Sequence, residues 1–359
     1  MSVDVIPGRV HYADNESLWF ARGPQIFVSV DGGKSAVEKW TVPMRTVRAL
    51  SSWSSLGRRA LRSGVHHIEP IEHKKAVVVA DDRILVLSPS SPRVTEIGKV
   101  VGSRPLSLEA SDGRLYYGEY RDNRERSPVH VFSCRLDQLG KWIPVWRFEH
   151  VRHIHGVYYD SFWDAHWVTT GDSNDESGIW VTRDRFRTLE RVIGGSQQTR
   201  AVRLLFEEER VLYGSDAPED QNHLYALSRQ DGHLSQLGPV SGPVFHGGYF
   251  GHSHVFSTVA EPSSTNVYGH IDLVVVDGNA VPKTTYSFEK DRLPPKLFQY
   301  GQAFFSKGPV GNTNTWVTPF ATNYHDVSFR LGALSARQTI EEKITLSESE
   351  TANGNDAAQ

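Results

Sequence analysis

A block of short apolar runs recurs along this 359-residue chain, and it is the feature that most constrains the fold. In each copy, a first run follows a cationic residue, a second run ends in Gly and a polar residue, and a third run follows a polar loop. Three copies have the glycine of the second run at Gly118, Gly171 and Gly214, which are 53 and 43 residues apart. A period of this size, built only from short strands, is typical of β-propeller blades.

Similar units extend from Val10 to Leu331, and they predict an all-β fold, a single β-propeller of seven blades, with six or eight as the alternatives. We expect the propeller over residues 1–346 and a disordered tail over 347–359, which is polar and poor in aromatic residues. Residues 45–62 interrupt the strand pattern and predict a short amphipathic helix with five arginines. This helix either caps one end of the propeller or presents a basic face to a membrane or partner.

The composition excludes several classes of protein. The net charge is −3, so no global basic field is present to hold nucleic acid. Cys134 is the only cysteine, which excludes a scaffold stapled by internal disulfides. No P-loop, Rossmann or kinase motif is present. The start of the chain shows no apolar signal segment, and no run approaches the roughly 20 apolar residues that span a bilayer, so we expect a cytoplasmic protein.

Charged and imidazole groups recur at two places in the repeat. One group precedes the first run of five units, in the order His66, Arg104, Arg152, Arg200 and His246. A carboxylate follows the second run of the same units, in the order Asp81, Glu119, Asp172, Asp216 and Glu261. Because first strands line the channel of a propeller, both sets are expected at one end of it. Either the charges pair as clamps between blades, or some arginines stay free to grip an anionic substrate through bidentate contacts.

Two kinds of catalysis are compatible with these residues. His155, beside Gly156 and close to Tyr158, is the preferred base for β-elimination from a uronic acid whose carboxylate is neutralised by arginine. Hydrolysis of a glycoside would instead use two carboxylates, and the candidates are Asp172, Asp216 and Glu119. The candidate substrate-binding residues are Arg104, Arg152, Arg200, His67 and His246.

Histidine is frequent, with 16 copies, and two pairs occupy alternate positions of a run. His153, His155 and His254 are candidate ligands for a divalent metal, namely Mn, Zn or Ca, although the spacing matches no metal-binding motif. Arg152 would converge with His153 and His155 if it lay in the loop before the strand, and would point away from them if it lay inside the strand. The sequence leaves both arrangements open.

Two turns and several short segments resemble a known family. Ser29–Lys34 and Thr182–Leu189 resemble the Asp-box, a turn in which an aspartate side chain caps backbone amides. The chain is thereby similar to the BNR/Asp-box β-propeller superfamily, which includes sialidases, other glycoside hydrolases and polysaccharide lyases. It also resembles propellers associated with bacterial polysaccharide biosynthesis, through SRPL (103–106), GEY (118–120), RHIHGV (152–157), WVTTGD (167–172), GGSQ (194–197) and RAV (200–202).

This resemblance implies a carbohydrate-active propeller that acts on or binds an acidic oligo- or polysaccharide over the central channel. It would be a polysaccharide lyase or a glycoside hydrolase of exopolysaccharide metabolism. The alternative is a non-catalytic propeller that scaffolds a polysaccharide-assembly complex, whose proteins would then be its partners. Whether the protein is an enzyme stays open at this point.

Overall fold

The computed structural model describes residues 4–43 and 53–334, apart from residues 90, 264, 279–280 and 325. Within these residues, 28 strands form seven antiparallel four-stranded sheets. The seven-bladed propeller predicted from the repeat is therefore confirmed. The expected tail over 347–359 lies outside the described residues.

Blades 1 to 6 each consist of four consecutive strands, numbered from the channel outward. Blade 1 consists of β2 (Arg9–Ala13), β3 (Leu18–Arg22), β4 (Gln25–Ser29) and β5 (Glu38–Thr41). Blade 2 consists of β6 (Val65–Glu72), β7 (Lys75–Ala80), β8 (Arg83–Ser88) and β9 (Ser91–Lys99). Blade 3 consists of β10 (Glu109–Ser111), β11 (Arg114–Gly118), β12 (Val129–Arg135) and β13 (Ile143–Phe148). Blade 4 consists of β14 (His153–Asp160), β15 (Ala165–Gly171), β16 (Gly178–Thr182) and β17 (Glu190–Gly194). Blade 5 consists of β18 (Ala201–Phe206), β19 (Arg210–Ser215), β20 (His223–Ser228) and β21 (Leu234–Pro239). Blade 6 consists of β22 (Val244–Phe250), β23 (Ser253–Thr258), β24 (His270–Val276) and β25 (Lys283–Glu289).

The seventh blade joins the two ends of the chain. Its inner strands are β26 (Gln302–Phe305), β27 (Trp316–Phe320) and β28 (Val327–Arg330), and its outermost strand is β1 (Val5–Pro7). Val5 pairs with Phe329, and the Ser328 hydroxyl donates to the Gly8 carbonyl at 2.7 Å. This pairing closes the ring and covers an edge that would otherwise be exposed. The repeat pattern did not predict it, because β1 lies before the first recognisable unit.

The repeated glycines allow neighbouring blades to pack closely. A Cβ added at Gly118 would lie 2.3 Å from the Ile154 side chain of the next blade, and one at Gly214 would lie 2.5 Å from Val244. A Cβ at Gly171 would lie 2.5 Å from the ring of His155. Since the second strands are sandwiched between blades, β15 is buried along its whole length, whereas residues of the outer strand β17 are only half-buried or exposed. The period seen in the sequence thus reflects inter-blade contact.

The described part of the predicted helical segment forms a helix that covers one end of the ring. Helix α1 (Ser55–Leu61) begins at an Ser54 cap, and residues 44–52 lie outside the described residues. Arg59 is buried, donating to the Phe298 carbonyl at 2.9 Å and pairing with Asp291 at 2.5 Å. Phe298 ends helix α2 (Pro295–Phe298), so the two helices cover this end together. Burial of Arg59 agrees with the capping interpretation, although residues outside the described part also belong to the predicted basic face.

The two turns that resemble an Asp-box share one hydrogen-bond pattern. Asp31 Oδ1 accepts from the Ser29 hydroxyl at 2.7 Å and from the Ser35 amide at 3.0 Å. Asp184 Oδ1 accepts from the Thr182 hydroxyl and from the Thr188 amide, both at 2.9 Å. Both turns join the third and fourth strands of a blade. This is local Asx-turn chemistry and does not by itself assign the chain to a family.

Candidate functional site

The first polar site lies at the rim of the channel, between blades 3, 4 and 5. We call it the Asp172 cluster, and it comprises Arg152, His153, His155, Asp172 and Arg200. Arg152 Nη1 donates to Asp172 Oδ2 at 2.8 Å, and Arg200 Nη2 lies 3.3 Å from Oδ1. His153 Nε2 and His155 Nε2 lie 3.1 Å and 3.3 Å from the same Oδ1. Four groups that are apart in the sequence thus converge on one carboxylate.

Local backbone geometry produces this convergence. Arg152 lies in the loop before β14, so it does not follow the alternation of the strand. In the pairing of β14 with β15, Ile154 faces Thr170 and Gly156 faces Thr169, which leaves His155 as the extra residue of a β-bulge. A bulge redirects the side chain it carries. His153 and His155 can therefore both reach Asp172, and the alternative left open by the sequence is settled in favour of convergence.

The arginines of this cluster act as clamps between blades. Arg152 also pairs with Asp122 of the preceding blade at 2.9 Å, and Arg200 Nε pairs with Asp216 of its own blade at 3.0 Å. Burial raises the pKa of Asp216 to about 7, against the opposing effect of Arg200. The pairing interpretation of the two charged sets therefore holds for Arg152 and Arg200.

The second polar site is a cavity of about 310 Å³ inside the ring of inner strands. Cationic, imidazole and aromatic side chains line it, among them Arg9, Arg62, His66, His67, Arg104, Tyr120, Tyr158, Arg203, His246, Phe304 and Lys307. A smaller space of about 160 Å³ shares Arg9, Arg62 and Phe304 with it and lies beside residues of helix α1. The cavity is thus placed where propellers commonly hold ligands, with α1 next to it.

Arg9 and Arg203 have no carboxylate partner among the described residues. The guanidinium of Arg9 stacks over the ring of Phe304 at 3.7 Å, and that of Arg203 lies over Tyr158 at 5.1 Å. The Nε atoms of both arginines are buried without a hydrogen-bond acceptor. Burial lowers the pKa of Arg9 to about 9, which still leaves it cationic at neutral pH. Two cations therefore face the cavity without a countercharge of their own.

Lys307, another cation that lines the cavity, is fully engaged. Its Nζ contacts Glu69 at 2.5 Å, Glu109 at 3.1 Å and the Leu108 carbonyl at 2.6 Å, which uses all three of its N–H donors. Burial raises the pKa of Glu69 to about 7 despite the opposing charge of Lys307. These contacts join blades 7, 2 and 3. Because one lysine cannot neutralise two carboxylates, the group leaves no positive charge for a ligand.

Neutral histidines line the cavity and the smaller space beside it, namely His67 and His246 in the cavity and His11 in the smaller space. Burial lowers the pKa of His67 and of His246 to about 3 and that of His11 well below its usual range. His67 Nε2 lies 2.7 Å from the Pro105 carbonyl, and His246 Nε2 lies 3.0 Å from the Gln302 side chain. At neutral pH these rings are uncharged hydrogen-bonding groups and weak bases.

The structure separates the predicted substrate-binding residues into two groups. Arg104, His67 and His246 line the cavity, where Arg104 Nη1 also donates to the Arg62 carbonyl at 2.8 Å. Arg152 and Arg200 lie in the Asp172 cluster instead. The predicted set does not form one anion-binding triad, because the repeat defines a position along each strand and does not define how far the side chain reaches toward the axis.

The predicted catalytic residues are likewise dispersed. The Tyr158 hydroxyl donates to the Val202 carbonyl, and its ring lines the cavity away from His155. A Cβ on Gly156 would lie 2.2 Å from that hydroxyl, so Gly156 makes room for Tyr158 and does not admit a ligand. Glu119 turns into its own blade, where it pairs with Arg121 at 2.7 Å and accepts from the His130 amide at 3.1 Å. Only His155, Asp172 and Asp216 lie near one another.

The predicted metal ligands are only partly together. His254 packs against Tyr249 and lies 3.3 Å from Glu207, so it does not join His153 and His155. The third group near that pair is Asp172, and ligand atoms of the three residues lie within 4.8 Å of one another. His254 lies in β23 of blade 6, whereas Asp172 directly follows β15 of blade 4, the blade that carries His153 and His155, and residue type alone does not show which of them is near the pair.

The residues predicted for the site do not include Arg9 and Arg203, the cavity arginines with no carboxylate partner among the described residues. Arg9 directly precedes Val10, the first residue assigned to a unit, in the position that Arg104, Arg152 and Arg200 occupy in their units. Extending the repeat by one residue would have found it. Arg203 lies inside β18 at a shifted register between Ala201 and Leu204, and no periodic signal marks such a position.

No model of a known protein family matches this chain, and no curated protein matches it. Among the described residues, no helix combines the length and apolar character needed to cross a bilayer. The WD40 β-propeller domain of Doa1 superposes with a TM-score of 0.56 at 8% identity, covering 91% of this chain and 94% of that one. The dehydrogenase NirN, in complex with DHE, gives 0.53 at 12% identity, covering 89% and 64%.

A prolyl endopeptidase structure gives a TM-score of 0.54 at 11% identity and covers 88% of this chain. The chain spans about half the length of that structure, 46%. These proteins differ widely in their named roles, and at such low identity the likeness shows the fold alone. The chain is a seven-bladed β-propeller that shares its architecture with scaffold, peptidase and dehydrogenase propellers.

Proposed function

We propose that this propeller binds an acidic glycan and holds the carboxylate of one sugar in the central cavity. The observation that carries the proposal is the contrast in pairing at one end of the ring. Arg152 and Arg200 each have two carboxylate partners, whereas Arg9 and Arg203 have none among the described residues. Arg9 and Arg203 are half-buried, so each has lost part of its hydration without gaining a carboxylate, and a bound anion would offset that cost.

The shape of the cavity favours a ring-shaped anion over a simple ion. Its volume of about 310 Å³ lies at the lower end of the range of about 300–1,000 Å³ seen for small-molecule sites. The guanidinium fork matches a carboxylate bidentately, and the rings of Tyr158 and Phe304 offer apolar faces beside it. Neutral His67 and His246 can exchange hydrogen bonds with sugar hydroxyls.

Binding is better supported than cleavage. An eliminating enzyme needs a base near the sugar, but the histidines that line the cavity have a pKa of about 3 and are weak bases at neutral pH. His155, the preferred base, has Nδ1 against the Ala201 carbonyl at 3.0 Å and Nε2 against Asp172. Glu119 and Asp172 are held by their own partners, which weakens the case for a hydrolytic carboxylate pair.

A scaffold for a polysaccharide-assembly complex is the second candidate. The clamps formed by Arg152 and Arg200 tie blades 3, 4 and 5 together, as a rigid docking platform would require. This role needs no ligand in the cavity. The two candidates therefore differ in whether acidic sugars bind.

Calorimetric titration of the full chain tests the proposal. The probes are glucuronate, galacturonate and their short oligomers, with the neutral sugars as one comparison and inorganic phosphate and a sugar phosphate as another. We expect acidic sugars to bind and Arg9→Gln or Arg203→Gln to weaken binding by about 10- to 100-fold, as expected for a lost charge-assisted hydrogen bond. Arg187→Gln, on the exposed outer surface, is the matched control.

Tighter binding of phosphate than of uronates would mean that the cavity binds phosphorylated ligands and not uronates. Absence of binding by the folded wild-type protein, or equal binding by Arg9→Gln and Arg187→Gln, would contradict the proposal and favour the scaffold. Release of reducing ends or of unsaturated uronates during the titration would instead restore a catalytic role.

A further inference from the structure

The two histidines of the Asp172 cluster face an unusual hydrogen-bonding situation. His153 Nδ1 lies 3.3 Å from the Arg121 carbonyl, and His155 Nδ1 lies 3.0 Å from the Ala201 carbonyl. Both Nε2 atoms face Asp172 Oδ1. Carbonyl and carboxylate oxygens only accept hydrogen bonds, and a neutral imidazole has one N–H to donate. If each Nδ1–H donates to its carbonyl, the Nε2 lone pairs of both rings point at Asp172 Oδ1, which is itself an acceptor.

Two arrangements relieve this convergence of acceptors. Both rings could carry a second proton, which would place two imidazolium ions beside Arg152 and Arg200 around one carboxylate. Alternatively, a cation between the three atoms could be bound by the lone pairs. The second arrangement repeats the common pattern in which a metal-binding histidine donates its other N–H to a backbone carbonyl that fixes the tautomer and the ring.

We propose that His153, His155 and Asp172 bind a divalent transition-metal ion, with Zn²⁺ as the best fit. For metal–ligand distances of about 2.0–2.1 Å and tetrahedral angles, neighbouring ligand atoms lie about 3.3 Å apart and two imidazole centroids about 5.2 Å apart. The two Nε2 atoms lie 3.1 Å and 3.3 Å from Asp172 Oδ1, and the ring centroids are 5.0 Å apart. The site needs little rearrangement to accept the ion.

The surroundings are compatible with such an ion. Arg152 binds the other oxygen of Asp172, Oδ2, and has Asp122 as a second partner, while Arg200 has Asp216. Arg200 Nη2 lies 3.3 Å from Oδ1, the proposed ligand atom, but Arg200 retains Asp216 as a partner when an ion takes its place there. His153 and His155 are buried, whereas 19% of the Asp172 side chain is exposed, which gives an ion a route to the site and leaves a position for water. The two imidazole donors favour Zn²⁺ and its neighbours and disfavour Ca²⁺, which prefers oxygen ligands.

Metal titration of the full chain in the absence of sugar tests this inference separately from glycan binding. After treatment with EDTA and gel filtration, the protein is titrated calorimetrically with Zn²⁺, Mn²⁺ and Ca²⁺, and its visible spectrum is recorded with Co²⁺. We expect one Zn²⁺ per chain, a tetrahedral-type Co²⁺ spectrum and no stoichiometric Ca²⁺ binding. His155→Gln should weaken Zn²⁺ binding by more than about 100-fold, since even removal of an outer partner costs 10- to 100-fold.

His254→Gln is the matched control, because His254 is also a buried strand histidine near a carboxylate but lies outside the cluster. Equal Zn²⁺ binding by His155→Gln and His254→Gln would overturn the proposal, as would stoichiometric binding of neither Zn²⁺ nor Co²⁺ by the wild-type protein. If His155→Gln does not fold, X-ray absorption of the Zn²⁺-loaded wild-type protein decides. Two imidazole nitrogens among the zinc ligands support the site, and a first shell of oxygen atoms alone contradicts it.

Discussion

The Asp172 cluster and the central cavity contain the same kind of residue in opposite electrostatic settings. In the cluster, Arg152 and Arg200 share Asp172 and each has a further carboxylate. In the cavity, Arg9 and Arg203 lie over aromatic rings and have no carboxylate among the described residues. The first arrangement links neighbouring blades through ion pairs, whereas the second leaves positive charge beside the cavity without a carboxylate among the described residues.

This comparison shows that a repeated arginine has no fixed role in this fold. Arg9 and Arg200 each directly precede the first-strand residue at which a register shift begins, Val10 and Ala201, yet the groups opposite the two arginines differ. The carboxylate partner therefore decides whether such an arginine is a clamp or a binding group. Each of the following predictions tests one side of this difference.

Loss of the shared carboxylate should have the largest effect. Asp172→Asn, measured in EDTA, leaves Arg152 and Arg200 with fewer partners and removes an acceptor from the cluster. Breaking a buried charge pair on one side costs about 3–5 kcal/mol of unfolding free energy, and we expect a loss near the lower limit because the side chain is 19% exposed. Chemical denaturation measures it. A loss below about 1 kcal/mol would mean that the cluster does not clamp the blades.

The two clamps should differ from each other. Arg200→Gln leaves buried Asp216 without its cation and should cost about 2–3 kcal/mol, whereas Arg152→Gln removes a more exposed pair and should cost about 1 kcal/mol or less. Denaturation curves of the two variants, recorded side by side at pH 8, provide the comparison. Equal losses would show that burial of the carboxylate is not what sets the strength of a clamp.

Removal of Arg9, which has no carboxylate partner among the described residues, should raise the unfolding free energy. Arg9→Met keeps an apolar stem over Phe304 and eliminates the cost of holding a charge without a partner. We expect a gain of about 1–2 kcal/mol in unfolding free energy, together with loss of uronate binding. Thermal melting with and without uronate measures both. If Arg9→Met is less stable than the wild-type protein, Arg9 stabilises the fold as Arg152 and Arg200 do, and the difference between cluster and cavity is contradicted.

The smallest effect concerns pH and a neutral histidine of the cavity. The pKa of His67 is about 3 in the folded protein, so below its ordinary value of 6.5 the unfolded chain takes up a proton that the folded protein does not. Stability from this ring is therefore lost as pH falls from 6.5 toward 3. His67→Gln keeps a donor for the Pro105 carbonyl and should lose about 1 kcal/mol less than wild type between pH 7 and pH 5.5. Parallel pH dependence of the two proteins would contradict the assignment of a neutral His67.

Much of the fold could be predicted because its signal is local. Gly118 and Gly214 recur where neighbouring blades touch, Gly171 lies against His155 of its own blade, and short apolar runs between turns mark the strands. The closing strand Val5–Pro7 could not be found this way, since three residues carry no period and pair with β28, more than 300 residues away in the sequence. The sequence predicted the residue types around the channel better than the individual residues: arginine and histidine do line the cavity, but its arginines include Arg9 and Arg203 and do not include Arg152 and Arg200.

By itself, the sequence predicted a ring of β-blades, seven with six or eight as alternatives, with cations and imidazoles near the start of the inner strands. Alternation and turn chemistry act over a few residues, so they can be read directly. Only the tertiary structure decided which charges meet, because pairing depends on side-chain reach across blade boundaries and on a bulge such as the one that turns His155 toward Asp172. A shift of one residue in a strand changes which face a side chain occupies, and no periodic pattern encodes the distance between two blades.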